Sequence, residues 1–406
     1  MIARKNPDEL FALWTQLACG ICNTVYRKLF SRFASFREIY ECEDFSFLEG
    51  KHNCERALRQ KDLDKAYELQ KLLHERGYHV LTYHESRYPA SLRTLAAPPA
   101  VLYAIGDLRN LNDMVGVAVV GTRNMTSYGA SVAEDFAFRL ATCGVTIVSG
   151  LAKGIDTCAH RGAVRAGSYT IGVLGTPIDV IYPKENAKAF QTLYKRGLVI
   201  SEMYPGCKRT KGDFPNRNRI ISGLTQATVV VEAGETSGAL ITAKHAIYQN
   251  KLVFAVPGAL GDAHAGTNKL IKQGIPAATD ASDILDALSL SHPVRVHPDR
   301  VMRQANIYAY GNAGIVSEEQ DEPIFSPPEP IATPKPQPQE QPKPKTNSPQ
   351  TIAEKIIDAL QNAPLTADEL ADRLHIGVTE LLSELTMLEI EGSVQASAGN
   401  RFTVKN

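Results

Sequence analysis

Between residues 115 and 256, short β-branched runs alternate with stretches of helical spacing, and this alternation leaves few folds open. The runs lie at 115–120, 145–148, 170–174, 198–200, 227–231 and 252–256. Helical patterns such as 131–140, 156–166 and 240–249 fall between them. Strands that are apolar along nearly their whole length must be buried on both faces, so the pattern predicts an α/β fold with a parallel, doubly wound sheet. Twenty of the 29 glycines lie within 116–274, mostly just after these runs. Ligands of such sheets bind at the carboxyl ends of the strands, where those glycines would sit.

Four of the loops after strands carry glycines in positions that suit an anion. They are Gly121-Thr122-Arg123, the run Ser149-Gly150-Leu151-Ala152-Lys153-Gly154-Ile155-Asp156, Gly234-Glu235-Thr236-Ser237-Gly238, and Pro257-Gly258 with Gly266-Thr267-Asn268. A glycine lets backbone N–H groups approach a phosphate, and the helix start that follows adds its dipole. No G-x-G-x-x-G opens the first helix and no G-x-x-x-x-G-K-[ST] occurs, so neither a dinucleotide nor a P-loop nucleotide is expected.

The loop after the fourth run points to the ligand. Between Cys207 and Leu224 it holds Lys208, Arg209, Lys211, Arg217 and Arg219 around Asp213 and Phe214. A phosphate backbone calls for spaced cations, and unstacked bases call for a ring. Arg217 and Arg219 are two apart and cannot share a helix face, so one of them is open to a structural ion pair. The total charge is zero, with 44 basic and 44 acidic residues, but it is unevenly spread. Residues 115–285 carry 18 Lys+Arg against 12 Asp+Glu, and residues 351–406 carry 4 against 9.

These segments resemble the DNA-processing protein DprA (Smf) family. The resemblance rests on Val-Gly-Thr-Arg (120–123), Ser-Gly-Leu-Ala-Lys-Gly-Ile-Asp (149–156) and Phe-Pro-Asn-Arg-Asn-Arg-Ile-Ile-Ser-Gly-Leu (214–224). Thr-Ser-Gly-Ala-Leu-Ile-Thr-Ala (236–243), Val-Pro-Gly (256–258) and Gly-Thr-Asn-Lys-Leu-Ile (266–271) extend it, and it covers about 85–285 closely. It implies an extended Rossmann-like domain that binds single-stranded DNA, dimerises and loads RecA on DNA taken up in natural transformation, without enzymatic activity or cofactor. Arg123, Lys211 and Phe214 match positions the family places at the DNA pocket. Together with the glycine rim, the expected DNA-facing set is Gly121, Arg123, Ser149, Gly150, Lys153, Gly154, Lys208, Arg209, Lys211, Phe214, Asn216, Arg217, Gly238 and Asn268. The alternative left open is a nucleotide- or phosphosugar-processing enzyme that uses the same rim.

Around this domain, four divisions are expected. Residues 1–84 read as a small helical domain, of the sterile-alpha-motif-like or helix-hairpin-helix kind by the resemblance, with Leu10, Leu13, Trp14 and Leu17 on one face. Residues 85–289 form the Rossmann-like domain. Residues 290–350 read as a disordered, proline-rich linker, since ten of the 23 prolines fall in 322–350. Residues 351–406 read as a winged helix, in which Thr366 and Glu369 make a capping box and 394–397 with 401–404 make the wing. Its third helix displays Glu380, Glu384, Glu389 and Glu391, which favours a protein-interaction role over duplex readout.

Other features carry less. Cys19, Cys22, Cys42 and Cys54, with His52, have irregular spacing for zinc, and the cysteines read as buried thiols. Cys207 beside Lys208 and Arg209 is a candidate low-pKa thiol. Asp156 and His160 share a helix face, and helix capping by Asp156 is favoured over a catalytic pair. No stretch approaches the roughly 18 apolar residues of a membrane helix, and the charged segment 1–17 does not read as a secretory signal. A cytoplasmic protein with no membrane partner is expected.

Overall fold

The computed structural model describes residues 7–48, 50–210 and 212–291, and in the C-terminal module 352–361, 364–374, 376, 381, 384, 385, 388, 393–397 and 401–404. It divides the chain into two compact units, 1–325 and 326–406. Lys211 and residues 292–350 lie outside the described residues, and the first two residues of the linker expected over 290–350 fall instead in the helix Ala281–Ser291.

The first unit begins with five helices: α1 (Pro7–Cys19), α2 (Val25–Arg32), α3 (Phe36–Glu41), α4 (His52–Gln60) and α5 (Asp64–Glu75). The face expected of α1 is the one it buries, with Leu13 and Trp14 inside and Trp14 edge-on to Tyr40. The chain then enters a strand, β1 (His79–Thr82), so the helical region ends before residue 84. β1 pairs antiparallel with β2 (Val101–Gly106), which follows the short helix α6 (Ala90–Arg93).

The predicted alternation supplies the rest of the sheet: β3 (Gly116–Val120), β4 (Thr146–Ser149), β5 (Thr170–Leu174), β6 (Leu198–Ser201), β7 (Ala227–Val230) and β8 (Leu252–Ala255). The strand order is β1-β2-β6-β5-β4-β3-β7-β8. The six strands from β6 to β8 run parallel, and β1 and β2 add an antiparallel edge beside β6. Every residue of β3 through β7 is buried, which is why these runs lack polar alternation. Helices α7 (Ser127–Thr142) and α8 (Ile155–Arg165) share one buried cluster with the sheet. Helices α9 (Ala187–Arg196), α10 (Asp213–Gly223), α11 (Ala239–Tyr248), α12 (Ala265–Lys272) and α13 (Ala281–Ser291) complete the unit. Residues of α10 and α11 share a cluster with β2, β5, β6 and β7. The chain steps outward from β3 through β4, β5 and β6, then returns to β7 on the other side of β3. That reversal places a crevice at the carboxyl ends of β3 and β7.

The helical region and the sheet share one core, which runs from Leu13 and Leu29 through Tyr103 to Phe190 and Leu193. Polar contacts lock the same junction. Gln16 accepts from the Tyr103 hydroxyl at 2.5 Å and donates to the Glu202 carbonyl at 3.1 Å. The Glu202 carboxylate accepts from the Cys22 N–H at 3.1 Å and from the Arg219 guanidinium at 2.5 Å. Burial alone lowers the Arg219 pKa, but the neighbouring Cys22 and Glu202 outweigh it and hold the guanidinium above its ordinary value.

The second unit contains α14 (Ile352–Leu360), β9 (Leu365–Thr366), α15 (Ala367–Leu374), β10 (Val394–Ser397) and β11 (Arg401–Val404). β10 and β11 form the expected antiparallel wing, and β9 joins β11. The capping box is present: Glu369 N–H donates to Thr366 Oγ1 at 3.3 Å and Thr366 N–H to Glu369 Oε2 at 2.8 Å. Ile356, Leu360, Leu370, Leu381, Leu385 and Leu388 close its core, giving a winged helix. Of the acidic residues of the third helix, Glu384 is described and is half-buried. Glu380, Glu389 and Glu391 lie outside the described residues.

Candidate nucleic-acid interface

The glycine rim is present at the carboxyl ends of the strands, but its N–H groups are met from inside. Glu232, fully buried just after β7, reaches the start of α7, where both its carboxylate oxygens accept from Thr126 N–H at 3.1 Å and Oε2 accepts from the Thr126 hydroxyl at 2.8 Å. Its carbonyl takes the Thr122 N–H at 2.7 Å. Asp156, buried in the first turn of α8, accepts from Gly150 N–H at 3.0 Å and Ala152 N–H at 3.4 Å. Burial raises its pKa, opposed by Arg217 and by these two N–H groups. A negative group at a helix start satisfies both the orphan donors and the dipole. Here Glu232 fills that role at α7, and Asp156, in the first turn of α8, takes N–H groups of the loop before it.

Several expected DNA-facing residues are therefore turned inward. Arg217 is buried, donating to the Gly150 carbonyl at 2.8 Å and to the Val173 carbonyl. Burial lowers its pKa to about 10, Asp156 opposes that shift, and Arg123 adds to it. The structural ion pair expected of one of the two is made by Arg219 with Glu202, and Arg217 is buried as well, because both point from α10 into the protein. The Ser149 hydroxyl donates to the Val119 carbonyl at 2.7 Å. Gly121 has the Ile155 side chain and the Glu232 carbonyl within 3 Å of any added Cβ, so close packing requires it. Gly154 has φ +91° and lies against the Thr122 and Arg123 carbonyls, a conformation that side chains rarely adopt. Asn268 bridges the N–H and carbonyl of Gly258 at 3.3 and 3.1 Å. Gly238 is exposed, and its carbonyl accepts from Asn218 at 3.3 Å. Asn216 is half-buried.

What faces solvent is a set of cations around two rings. Arg123, Lys153, Lys208 and Arg209 are exposed. Phe214 is half-buried over the end of β5, where Gly175 leaves it room: a Cβ there would stand 2.7 Å from its ring. The Arg123 guanidinium lies 5.5 Å from the Phe214 centroid and that of Arg209 lies 5.4 Å from it. Asp213 shapes the basic loop by accepting from Thr210 N–H at 2.5 Å and from the Thr210 hydroxyl at 2.7 Å. Pro215 sits in the first turn of α10, where a missing N–H costs little. The second ring is Tyr182, with its centroid 5.5 Å from Phe214 and 4.9 Å from the Arg209 guanidinium. Sequence reasoning missed it because its loop, 175–183, contains no basic residue to draw attention.

The remaining candidates resolve as packing. The His160 imidazole meets the Thr170 hydroxyl at 2.8 Å, and Asp156 is engaged with N–H groups, so the two do not form a pair. Burial raises the Cys207 pKa, contrary to a reactive thiol. Cys19 and Cys54 are buried, and Cys54 takes a hydrogen bond from Asn23 at 3.4 Å.

Burial, and then a nearby arginine, lowers His160 to about 3 and His245 to about 4. An unfolded histidine binds its proton near 6.5, so between that pH and about 4 the unfolded chain carries more protons. Stability should fall as pH drops through this window, by up to about 1.4 kcal/mol per unit for each histidine. Urea melts at pH 7, 5.5 and 4.5 would show it, and His160→Gln should have the shallower slope. An unchanged slope in the variant would remove His160 from the account.

The family model for DNA recombination-mediator protein A matches residues 79–289, and that for the DprA winged helix domain matches 336–400. The DNA processing protein DprA of Bacillus subtilis is 42% identical over 215 residues, spanning 53% of this chain and 72% of the relative. Protein Smf of Synechocystis is 30% identical over 413 residues, spanning 98% of this chain and 99% of the relative. The X-ray structure of DprA from Streptococcus pneumoniae superposes with a TM-score of 0.59 at 31% identity, covering 68% of this chain and 97% of that one. With one relative matched from end to end and the family model spanning the whole sheet, the chain belongs to the DprA (Smf) family of DNA recombination-mediator proteins.

Proposed function

We propose that this chain is a non-enzymatic, cytoplasmic mediator of natural transformation that binds single-stranded DNA, protects it and loads RecA on it. The observation that carries the reading is the pair of exposed cations Arg123 and Arg209 over Phe214 at the carboxyl edge of the sheet, with Lys153 and Lys208 exposed on loops of the same edge. Cations bind any phosphate backbone, and a ring stacks on any base that is not already stacked in a duplex. Lys211, beside this cluster in sequence, belongs to the same proposal. Counting against nucleotide or phosphosugar processing, N–H groups of the rim that would meet such a ligand's phosphates, those of Thr126, Gly150 and Ala152, are taken by Glu232 and Asp156. The test is fluorescence anisotropy of labelled oligo-dT and of its dA duplex, with RecA filament formation on the bound strand as the second readout. Tighter binding of the single strand and faster RecA loading are expected. Equal or tighter duplex binding would overturn the DNA reading, and unaltered RecA loading would overturn the mediator role.

The family resemblance and the exposed apolar surface at the β8 edge support a homodimer. Ile247 is 44% exposed, Tyr248 82% and Leu252 41%. Two sites on one strand would raise avidity. Tyr248→Glu should leave a monomer by light scattering, with weaker binding of long oligonucleotides. A dimer that persists would move the interface elsewhere. The acidic winged helix is assigned to protein contacts and not to DNA.

A further inference from the structure

We propose that Tyr182 is a second base-stacking platform, so that the site holds two consecutive unpaired nucleobases, one on Phe214 and one on Tyr182. This rests on the single-strand reading above and adds a residue and a base count to it.

The loop that presents Tyr182 is anchored. Ile178 is fully buried and its N–H donates to the Met203 carbonyl at 3.0 Å. The Thr176 hydroxyl donates to the Val180 carbonyl at 2.9 Å, and Asp179 pairs with Arg76 at 3.0 Å. On this fixed loop the ring is held out, 40% exposed, at the edge of the cationic cluster. A large ring kept in water on a rigid support is a poor use of apolar area unless something covers it.

The spacing decides how bases would sit. Stacked layers repeat every 3.4 Å or so, and a base inserted between two rings needs about 7 Å between them. The two centroids are 5.5 Å apart with the planes at 44°, so no base fits between them. Each ring instead offers a surface to its own base. Arg209 lies 4.9 Å from one centroid and 5.4 Å from the other, so one exposed guanidinium serves both rings and is placed to meet the phosphate that links the two nucleotides.

The experiment compares full-length wild type, Tyr182→Ala, Tyr182→Phe and Phe214→Ala. Each is titrated against labelled oligo-dT and against an abasic oligonucleotide of equal length, and thermal melts confirm folding. Tyr182→Ala should weaken oligo-dT binding roughly five- to hundred-fold, Tyr182→Phe should bind like wild type, and neither should change abasic binding. Irradiation of wild type with 5-iododeoxyuridine oligonucleotides should give adducts at both rings, on neighbouring nucleotides. Wild-type affinity in Tyr182→Ala, an equal loss on abasic DNA, or adducts at Phe214 alone would overturn the inference. A loss reproduced by Tyr182→Phe would assign the effect to the hydroxyl and overturn it too. Should Tyr182→Ala fail to fold, the phenylalanine variant and the wild-type adducts decide. Failure of wild type to bind oligo-dT would remove the single-strand reading itself, whereas binding with a silent Tyr182 removes only this inference.

Discussion

Glu202→Gln is expected to cost about 3–5 kcal/mol of stability, because it leaves the Arg219 guanidinium buried without its counter-charge. Both side chains of the pair are 7% exposed, and their separation is 2.5 Å. The substitution keeps the shape and removes only the charge, so cavity formation does not enter. It strikes where the helical region, the sheet and helix α10 meet, since the Glu202 carboxylate also holds the Cys22 N–H and its backbone carbonyl the Gln16 amide. Urea denaturation at neutral pH reads the loss, and a Tm lower by on the order of 10 °C should accompany it. The double variant Glu202→Gln/Arg219→Met should be less destabilised than the sum of the singles, since removing both charges leaves none unpaired. Additive losses would show that the two residues act independently.

Phe214→Ala is expected to weaken single-strand binding by about 1–3 kcal/mol without changing its salt dependence. Arg123→Ala should weaken it too, but with a log–log salt slope shallower by about 0.7, the value for one phosphate on a single strand. The structure separates these effects because the ring and the guanidinium are distinct groups 5.5 Å apart. Phe214 is half-buried above Gly175 and outside the main clusters, so its truncation should leave the fold intact. Anisotropy titrations at several salt concentrations decide the matter, with circular dichroism as the control. Unfolding of Phe214→Ala would make the ring a core residue, and an unchanged slope in Arg123→Ala would remove that cation from the phosphate path.

The strand–helix alternation was legible in the sequence because burial on both faces leaves a local mark, a continuous apolar run followed by a turn residue. The capping box at Thr366 and Glu369 was legible for a similar reason, since its partners are three residues apart. So was the pairing of Arg209 with the Phe214 ring, five residues apart, although Arg217 and Arg219 of the same segment turn inward. The antiparallel edge β1–β2 escaped notice because its strands lie outside the alternating pattern.

The chemistry of the rim was decided only by the tertiary structure. A glycine after a strand reads the same whether its N–H meets a phosphate or a carboxylate of the protein, and Glu232 reaches Thr126 from 106 residues away. Arg217 and Arg123 are the same residue type, and only the packing of α10 turns one inward and leaves the other in solvent. Tyr182 sits on a loop and Phe214 in the first turn of α10, and nothing local to either records the other. Sequence alone determined which elements form and where positive charge collects, because those depend on neighbours along the chain. Which donors stay free, and which rings stand side by side, depended on contacts between distant segments, which exist only once the sheet is assembled.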